Sequence, residues 1–379
     1  MHNRILGKTA ERVSVLGFGA MRLPIIDGDT GKIDVPEATR MLHFAIDNGL
    51  NYIDTAYAYH NGTSEAFVGN ALLNGYREKV HLATKLPCWL IQTRRDMDRL
   101  LNEQLDRLQT DRIDFYLLHA LGRSNWDKLL DLGVLEFLDA AIADGRIRYA
   151  GFSYHDDAVT FVKIVDAYDW GLCQIQYNYM DENYQAGRTG LRYASQKGLG
   201  IVVMEPLRGG KLASNIPADA VKALRSGHSS RMPVEWALRW LWNQPEIGTV
   251  LSGMSTMTQI QENIRLAANA EANCQSAGEI HIIRQVRDIF LQRTKVNCTA
   301  CRYCQPCPSG VKIPECLSIY NNAHIYDDFT SEKFQYLLSL KEPERASHCT
   351  RCGQCESLCP QHIPIIDTLA NVSDAFEKE

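Results

Sequence analysis

The stretch VHLATKLPCWLIQTRRDMDRLLNEQLDRLQTDRIDFYLLHA, residues 80–120, sets the frame for the chain. Two short apolar runs, VHLATKL and DFYLLHA, read as strands, and TRRDMDRLLNEQLDRLQ between them reads as an amphipathic helix. The same alternation continues outward on both sides, from Val13 to about Ala268. Upstream, SVLGFGAM and NYIDTA are strand candidates; downstream come RYAGFSY, CQIQYNY, GIVVMEP and GTVLSGM. The segments EATRMLHFAIDNG, LLDLGVLEFLDAAIADG and GLRYASQKG read as helices, each closing on a glycine, as C-terminal caps often do. Eight strands, each followed by a helical segment over roughly 250 residues, predict a closed parallel (β/α)₈ barrel of the TIM type. An open doubly wound sheet would announce a nucleotide by a glycine-rich turn running straight into a helix. LGFGAMRLP, after the first strand, has two glycines and no such helix, so the barrel is preferred.

The 379 residues exceed what one barrel needs, and the pattern changes after Asn269. We therefore expect a barrel over residues 1–270, a bridging helix over 271–295, and a C-terminal domain over 296–379, where the chain turns Cys- and Pro-rich. A net charge of -5 gives no reason to expect nucleic acid as a partner. No apolar run is long enough for a membrane span, and MHNRILGKTAERV lacks a secretory core, so a cytoplasmic location is expected.

In parallel barrels, chemistry gathers at the C-terminal strand ends. Asp54 closes NYID, Lys85 follows HLAT, His119 follows FYLL, and Tyr59 lies on the loop after Asp54. These four read as a proton-transfer set. Hydride delivered to a carbonyl carbon leaves an alkoxide that needs a proton, and Tyr59 can donate it. A phenol is a sluggish acid at neutral pH unless a nearby cation stabilises the phenolate. Lys85 supplies that cation, Asp54 holds it, and His119 orients the substrate oxygen. Singly, each residue has a plainer reading as a turn residue, a solvated charge or packing; the ordered set of four does not.

On these residues the barrel resembles an aldo-keto reductase over essentially its whole length. NYIDTAYAYHNGTSEAFVG, HLATK and FYLLHA match that family's segments carrying Asp, Tyr, Lys and His. The resemblance implies NADP(H) or NAD(H) as cofactor and a small carbonyl or alcohol as substrate. It implies that Ser153 and Gln176 contact the nicotinamide amide and that Tyr177 stacks on the ring. It also implies Leu207, Gly209 and Lys211 at the pyrophosphate, with Gln259, Glu262 and Asn263 at the adenosine end. Many NADP-preferring members place a Lys-Ser pair and an Arg there, where this chain has Gly253, Met254 and Gln259. Fewer cationic donors weaken discrimination for a phosphate, so the choice of dinucleotide stays open, with NADPH ahead on family grounds.

Twelve cysteines complete the picture. Cys88, Cys173, Cys274 and Cys316 are scattered. Cys298, Cys301, Cys304 and Cys307 stand in CTACRYCQPCP, and Cys349, Cys352, Cys355 and Cys359 in CTRCGQCESLCP. The second is the full C-x₂-C-x₂-C-x₃-C-P run of bacterial ferredoxins; the first is one residue short before its fourth Cys. Two [4Fe–4S] clusters are expected, one on Cys298, Cys301, Cys304 and Cys359, the other on Cys349, Cys352, Cys355 and Cys307. The intervening helical stretches resemble the α-helical ferredoxin type. Two Cys₄ zinc sites are the alternative for the same thiolates. A redox partner such as a ferredoxin is a further expectation, and a non-catalytic nicotinamide-binding sensor or electron-transfer subunit is the competing function.

Overall fold

The eight expected strands close into one parallel barrel in this computed structural model, whose described residues are 1–214, 216–298, 303–359 and 361–378. In chain order they are β1 (Leu16–Gly19), β2 (Tyr52–Asp54), β3 (His81–Leu86), β4 (Ile113–Leu121), β5 (Ile147–Tyr154), β6 (Leu172–Gln176), β7 (Gly200–Met204) and β8 (Ile247–Ser252). β8 pairs with β1 to complete the ring. Strand alternation turns Tyr52, Ala83, Phe115, Leu117, Leu172, Val202 and Leu251 into one interior cluster. Gly151 makes room for it, since a Cβ there would lie 2.5 Å from Leu172 Cδ2. Each fully buried aliphatic side chain of this kind contributes about 1.5–3 kcal/mol.

A two-stranded hairpin, Asn3–Ile5 with Arg12–Ser14, plugs the N-terminal end of the barrel. Its Leu6 fills the space left by Gly200 and Gly248, where a Cβ would come within 2.5 and 2.6 Å of the leucine side chain. Arg4 ties the hairpin to the barrel by donating to the carbonyls of Gln244 and Ile247, each at 2.9 Å. With that end closed, the strands' C-terminal ends carry the opening. The helix Arg94–Leu108 shows how the outer ring is made. Asp96 accepts from the backbone N–H of Gln92 and Thr93 (3.1 and 2.8 Å), Gln109 ends the helix at φ 51°, and Met97, Leu100, Leu101 and Leu108 face inward.

The chain divides into two compact units, residues 1–209 with 237–275, and residues 210–236 with 276–379. Residues 210–236, which fall between β7 and β8 in sequence, thus belong with the C-terminal part. The reason is packing: helix Ala218–Gly227 lies on helix Ala277–Arg293, so closely that a Cβ on Gly227 would meet Ile282 at 2.9 Å. Arg231–Glu279 (2.5 Å), Arg293–Asp219 (3.1 Å) and Lys211–Glu332 add ion pairs inside this unit. Its core is Val311, Ile313, Cys316, Leu317, Tyr336, Leu369, Val372 and Phe376, from helices Ile313–Tyr326, Phe329–Ser339 and Ile365–Phe376 and the chain before them. No helix among the described residues is long and apolar enough to cross a membrane.

Candidate active site

At the open end of the barrel, Lys85 is fully buried on the inner face of β3. Its Nζ donates to Asp54 Oδ1 at 2.7 Å, to the carbonyl of Thr55 at 2.9 Å and to Tyr59 Oη at 3.3 Å. Tyr59 opens a tight turn in which His60 and Asn61 both take left-handed backbone, φ 52° and 53°. The His60 ring anchors that turn: Nε2 accepts from Leu23 N–H at 3.1 Å and Nδ1 lies 2.8 Å from the Thr30 carbonyl, the pattern of an Nδ1–H tautomer. His119 stands edge-on to Tyr59, ring centroids 6.1 Å apart, with Trp89 5.2 Å away on its other side. A register irregularity between Leu118 and Leu121 in the β4–β5 pairing aims it there. The four residues expected at the site are therefore brought together.

Their electrostatics are set by burial. Burial raises the Tyr59 phenol; the Lys85 charge and hydrogen bond pull the other way, and Asp54 and Glu205 add to the rise. The net direction is upward, so the phenol is less acidic than the sequence reading implied and stays protonated. Lys85 has burial working against its charge, but Asp54 and Tyr59 outweigh that and hold it above the ordinary lysine value. Asp54 is raised by burial, with Lys85 opposing. Burial, then the charges of Lys85 and His155, push His119 well below the ordinary imidazole range. It is a neutral ring whose buried Nδ1 has no partner among the described residues.

The expected cofactor residues are placed less uniformly. Ser153 is buried on β5 and its Oγ accepts from Ala120 N–H at 2.8 Å. Gln176 commits its amide to Asp181 Oδ2 at 2.9 Å, and Tyr177 is wholly buried with its ring 5.3 Å from that of Trp240. Leu207 is half-buried and Gly209 exposed, whereas Lys211 pairs with Glu332 in the second unit. At the start of helix Met257–Ala267, Gln259 accepts from Ser255 N–H at 2.7 Å, Glu262 is exposed, and Asn263 donates to Ser252 Oγ at 3.2 Å.

In the second unit Cys304, Cys307, Cys349, Cys352 and Cys355 line one cavity. Among the described residues no three His, Cys, Asp or Glu side chains converge on a single point. Thiols from both cysteine runs lining one hollow supply the donor set that an iron–sulfur cube draws on. Cys298 and Cys359 pack half-buried against the helical core, and Cys301 lies outside the described residues.

Residues 15–284 match the aldo/keto reductase family, and residues 297–363 match the 4Fe-4S dicluster domain. The chain belongs to the aldo/keto reductase family. YrpG, an uncharacterized oxidoreductase of Bacillus subtilis, is 28% identical over 331 residues, spanning 76% of this chain and 96% of its own. L-galactose dehydrogenase of Arabidopsis thaliana is 26% identical over 290 residues, 71% of this chain and 89% of its own. The solved holo form of aldo-keto reductase AKR11C1 from Bacillus halodurans superposes with a TM-score of 0.64 at 28% identity, covering 76% of this chain and 96% of that one.

Two residues of this aldo-keto reductase went unread in the sequence. Gln174 sits on β6 beside Ser153 in strand register, buried, with its Oε1 unpartnered among the described residues. Strand periodicity puts Gln174 and Gln176 on one face, and the family resemblance singles out Gln176 alone. Arg22, just past β1, runs its side chain over Gly253 (a Cβ there would meet it at 3.0–3.1 Å) and brings Nη2 to within 3.3 Å of a Cβ built on Gly209. Glu205 holds it at 3.8 Å. Only the closing of the ring makes these three loops neighbours.

Proposed function

We propose that this enzyme interconverts a carbonyl (aldehyde, ketone or sugar) and an alcohol, with NADPH or NADH as the hydride donor and Tyr59 as the proton donor. The observation that carries this reading is the Lys85 ammonium, locked by Asp54, 3.3 Å from the Tyr59 hydroxyl. The nicotinamide, when bound, supplies the hydride. Tyr59 holds the proton at its hydroxyl until the substrate oxygen needs it, and Lys85 stabilises the phenolate left behind. Neutral His119 presents a ring nitrogen to the substrate oxygen. The orphaned Oε1 of Gln174 beside Ser153 suits the amide of a carboxamide, and we place it with Ser153 ahead of Gln176. Arg22 provides a cation between the Gly209 and Gly253 loops, which suits a dinucleotide phosphate. NADPH remains ahead of NADH.

The cysteines would hold two [4Fe–4S] clusters in the crossed sets given above; the cavity lined by Cys307, Cys349, Cys352 and Cys355 together with Cys304 favours a crossing between the two runs. The clusters, when bound, would pass single electrons, and a partner such as a ferredoxin is the proposed source or sink. Thiolate ligands of this kind call for a reducing compartment, and the cytoplasm is the proposed one.

Tyr59→Phe tests the central assignment. Turnover on a carbonyl panel should fall by about 10²–10⁴-fold while nicotinamide affinity persists. Wild-type turnover in that variant would overturn it.

A further inference from the structure

Behind β3, on the side away from the barrel interior, lies a carboxylate that the chemistry above does not use. Glu65, on helix Ser64–Ala71, is wholly buried. Its Oε1 accepts from Thr84 Oγ1 at 2.6 Å and from Gln104 Nε2 at 2.5 Å. Its Oε2 meets Arg107 Nη1 at 3.4 Å. Gln104 is buried as well; the same amide nitrogen donates to the backbone carbonyl of Lys85 at 3.0 Å, and its Oε1 accepts from the Tyr116 hydroxyl at 2.8 Å. Arg107 lies 4.3 Å over the ring of Tyr57 and pairs with Glu103, which accepts from the Tyr57 hydroxyl at 3.3 Å. Tyr57 is two residues before Tyr59 on the loop leaving β2.

Packing alone does not call for this arrangement. Burial raises the Glu65 carboxyl above the usual range, against Thr84, Gln104 and Arg107, and an apolar side chain of similar size would fill the same space without a buried polar group to satisfy. Instead the carboxylate is kept, and its partners lead to two places. Thr84 and Gln104 grip the strand at Lys85 and the residue before it. Arg107 grips the loop that carries Tyr59. Those are the two halves of the ammonium–phenol pair, whose strength depends on their separation.

We propose that Glu65 is a positioning residue for proton transfer: through Thr84, Gln104 and Arg107 it sets, from behind the strand, the distance between the Lys85 ammonium and the Tyr59 hydroxyl. This rests on Tyr59 being the proton donor. In the reduction direction Tyr59 must be protonated, so turnover falls as pH rises through the phenol's pKa. Lys85 pulls that limb down. Loosening Lys85 lets it move up.

The test compares full-length, cluster-loaded wild type with Glu65→Gln, Glu65→Leu, Gln104→Met and Arg107→Met, using NADPH and the best carbonyl of the panel. We expect kcat to fall about tenfold or more, the KM for NADPH to stay put, and the alkaline limb of kcat to shift to higher pH. Glu65→Gln keeps an oxygen for Thr84 and should lose less than Glu65→Leu. Should the Glu65 variants not fold, Gln104→Met and Arg107→Met carry the test. Folded variants with a lower melting temperature but wild-type kcat and wild-type alkaline limb would reduce Glu65 to a structural residue and overturn the proposal. If Tyr59→Phe keeps its turnover, the failure belongs to the Tyr59 assignment and not to Glu65.

Discussion

Lys85 is fully buried and already meets three oxygen atoms of the protein, whereas Cys352 is exposed and Cys298, Cys304, Cys307, Cys349, Cys355 and Cys359 are only half-buried. The mouth of the barrel draws on groups from Asp54 to His119 and is wired by the chain alone. The cysteine region draws on two short runs and leaves its thiols around a hollow. Isolated cysteines sharpen the contrast: burial pushes the Cys88 and Cys316 thiols up to about 12, as suits inert packing groups. One region is organised before its ligand arrives. The other holds the proposed cluster ligands, and if they bind as proposed, binding energy there is folding energy.

The largest expected effect follows from the wiring of the first region. Lys85→Met strands the buried Asp54 carboxylate and should lower barrel stability by about 3–5 kcal/mol at neutral pH. A urea midpoint close to wild type would show that the pair is not as locked as its geometry suggests. A smaller effect concerns His119. Its folded pKa is depressed by burial, so below about pH 6.5 the unfolded chain takes up a proton that the folded one refuses. Its stability contribution is complete above that pH and is lost as pH falls toward the folded value. Between pH 7.5 and 5.5 the loss should be on the order of 1 kcal/mol, and His119→Phe should flatten this part of the denaturation–pH curve. An unchanged slope would mean the ring titrates normally. Smallest is Cys352→Ser in metal-free protein, under about 0.5 kcal/mol because the side chain is exposed. The same variant, reconstituted with iron and sulfide without oxygen, should retain only one cluster's worth of iron. Full iron content would remove Cys352 from the ligand set.

Sequence carried the barrel and its four catalytic candidates because both depend on local order: a strand, then the residue at its end. It did not carry what depends on ring closure. Arg22 reaches Gly253 and Gly209 only because β8 pairs with β1. Gln174 and Gln176 share a strand face, and only the folded chain shows Gln176 committed to Asp181 while Gln174 lies beside Ser153 in register. Burial also reversed the expected sign at Tyr59, since desolvation scales with surroundings that residue types do not reveal. Lys211 was read by its neighbours in sequence, while its partner Glu332 comes from much later in the chain.

The grouping of residues 210–236 with residues 276–379 bears on how the polypeptide matures during synthesis. This segment leaves the ribosome ahead of β8 and well ahead of the helices it packs on, so a nascent chain must carry its apolar side uncovered until the C-terminus emerges. A stop codon placed after residue 275 would leave that side uncovered for good. Cutting the gene at one point does not yield two self-sufficient halves.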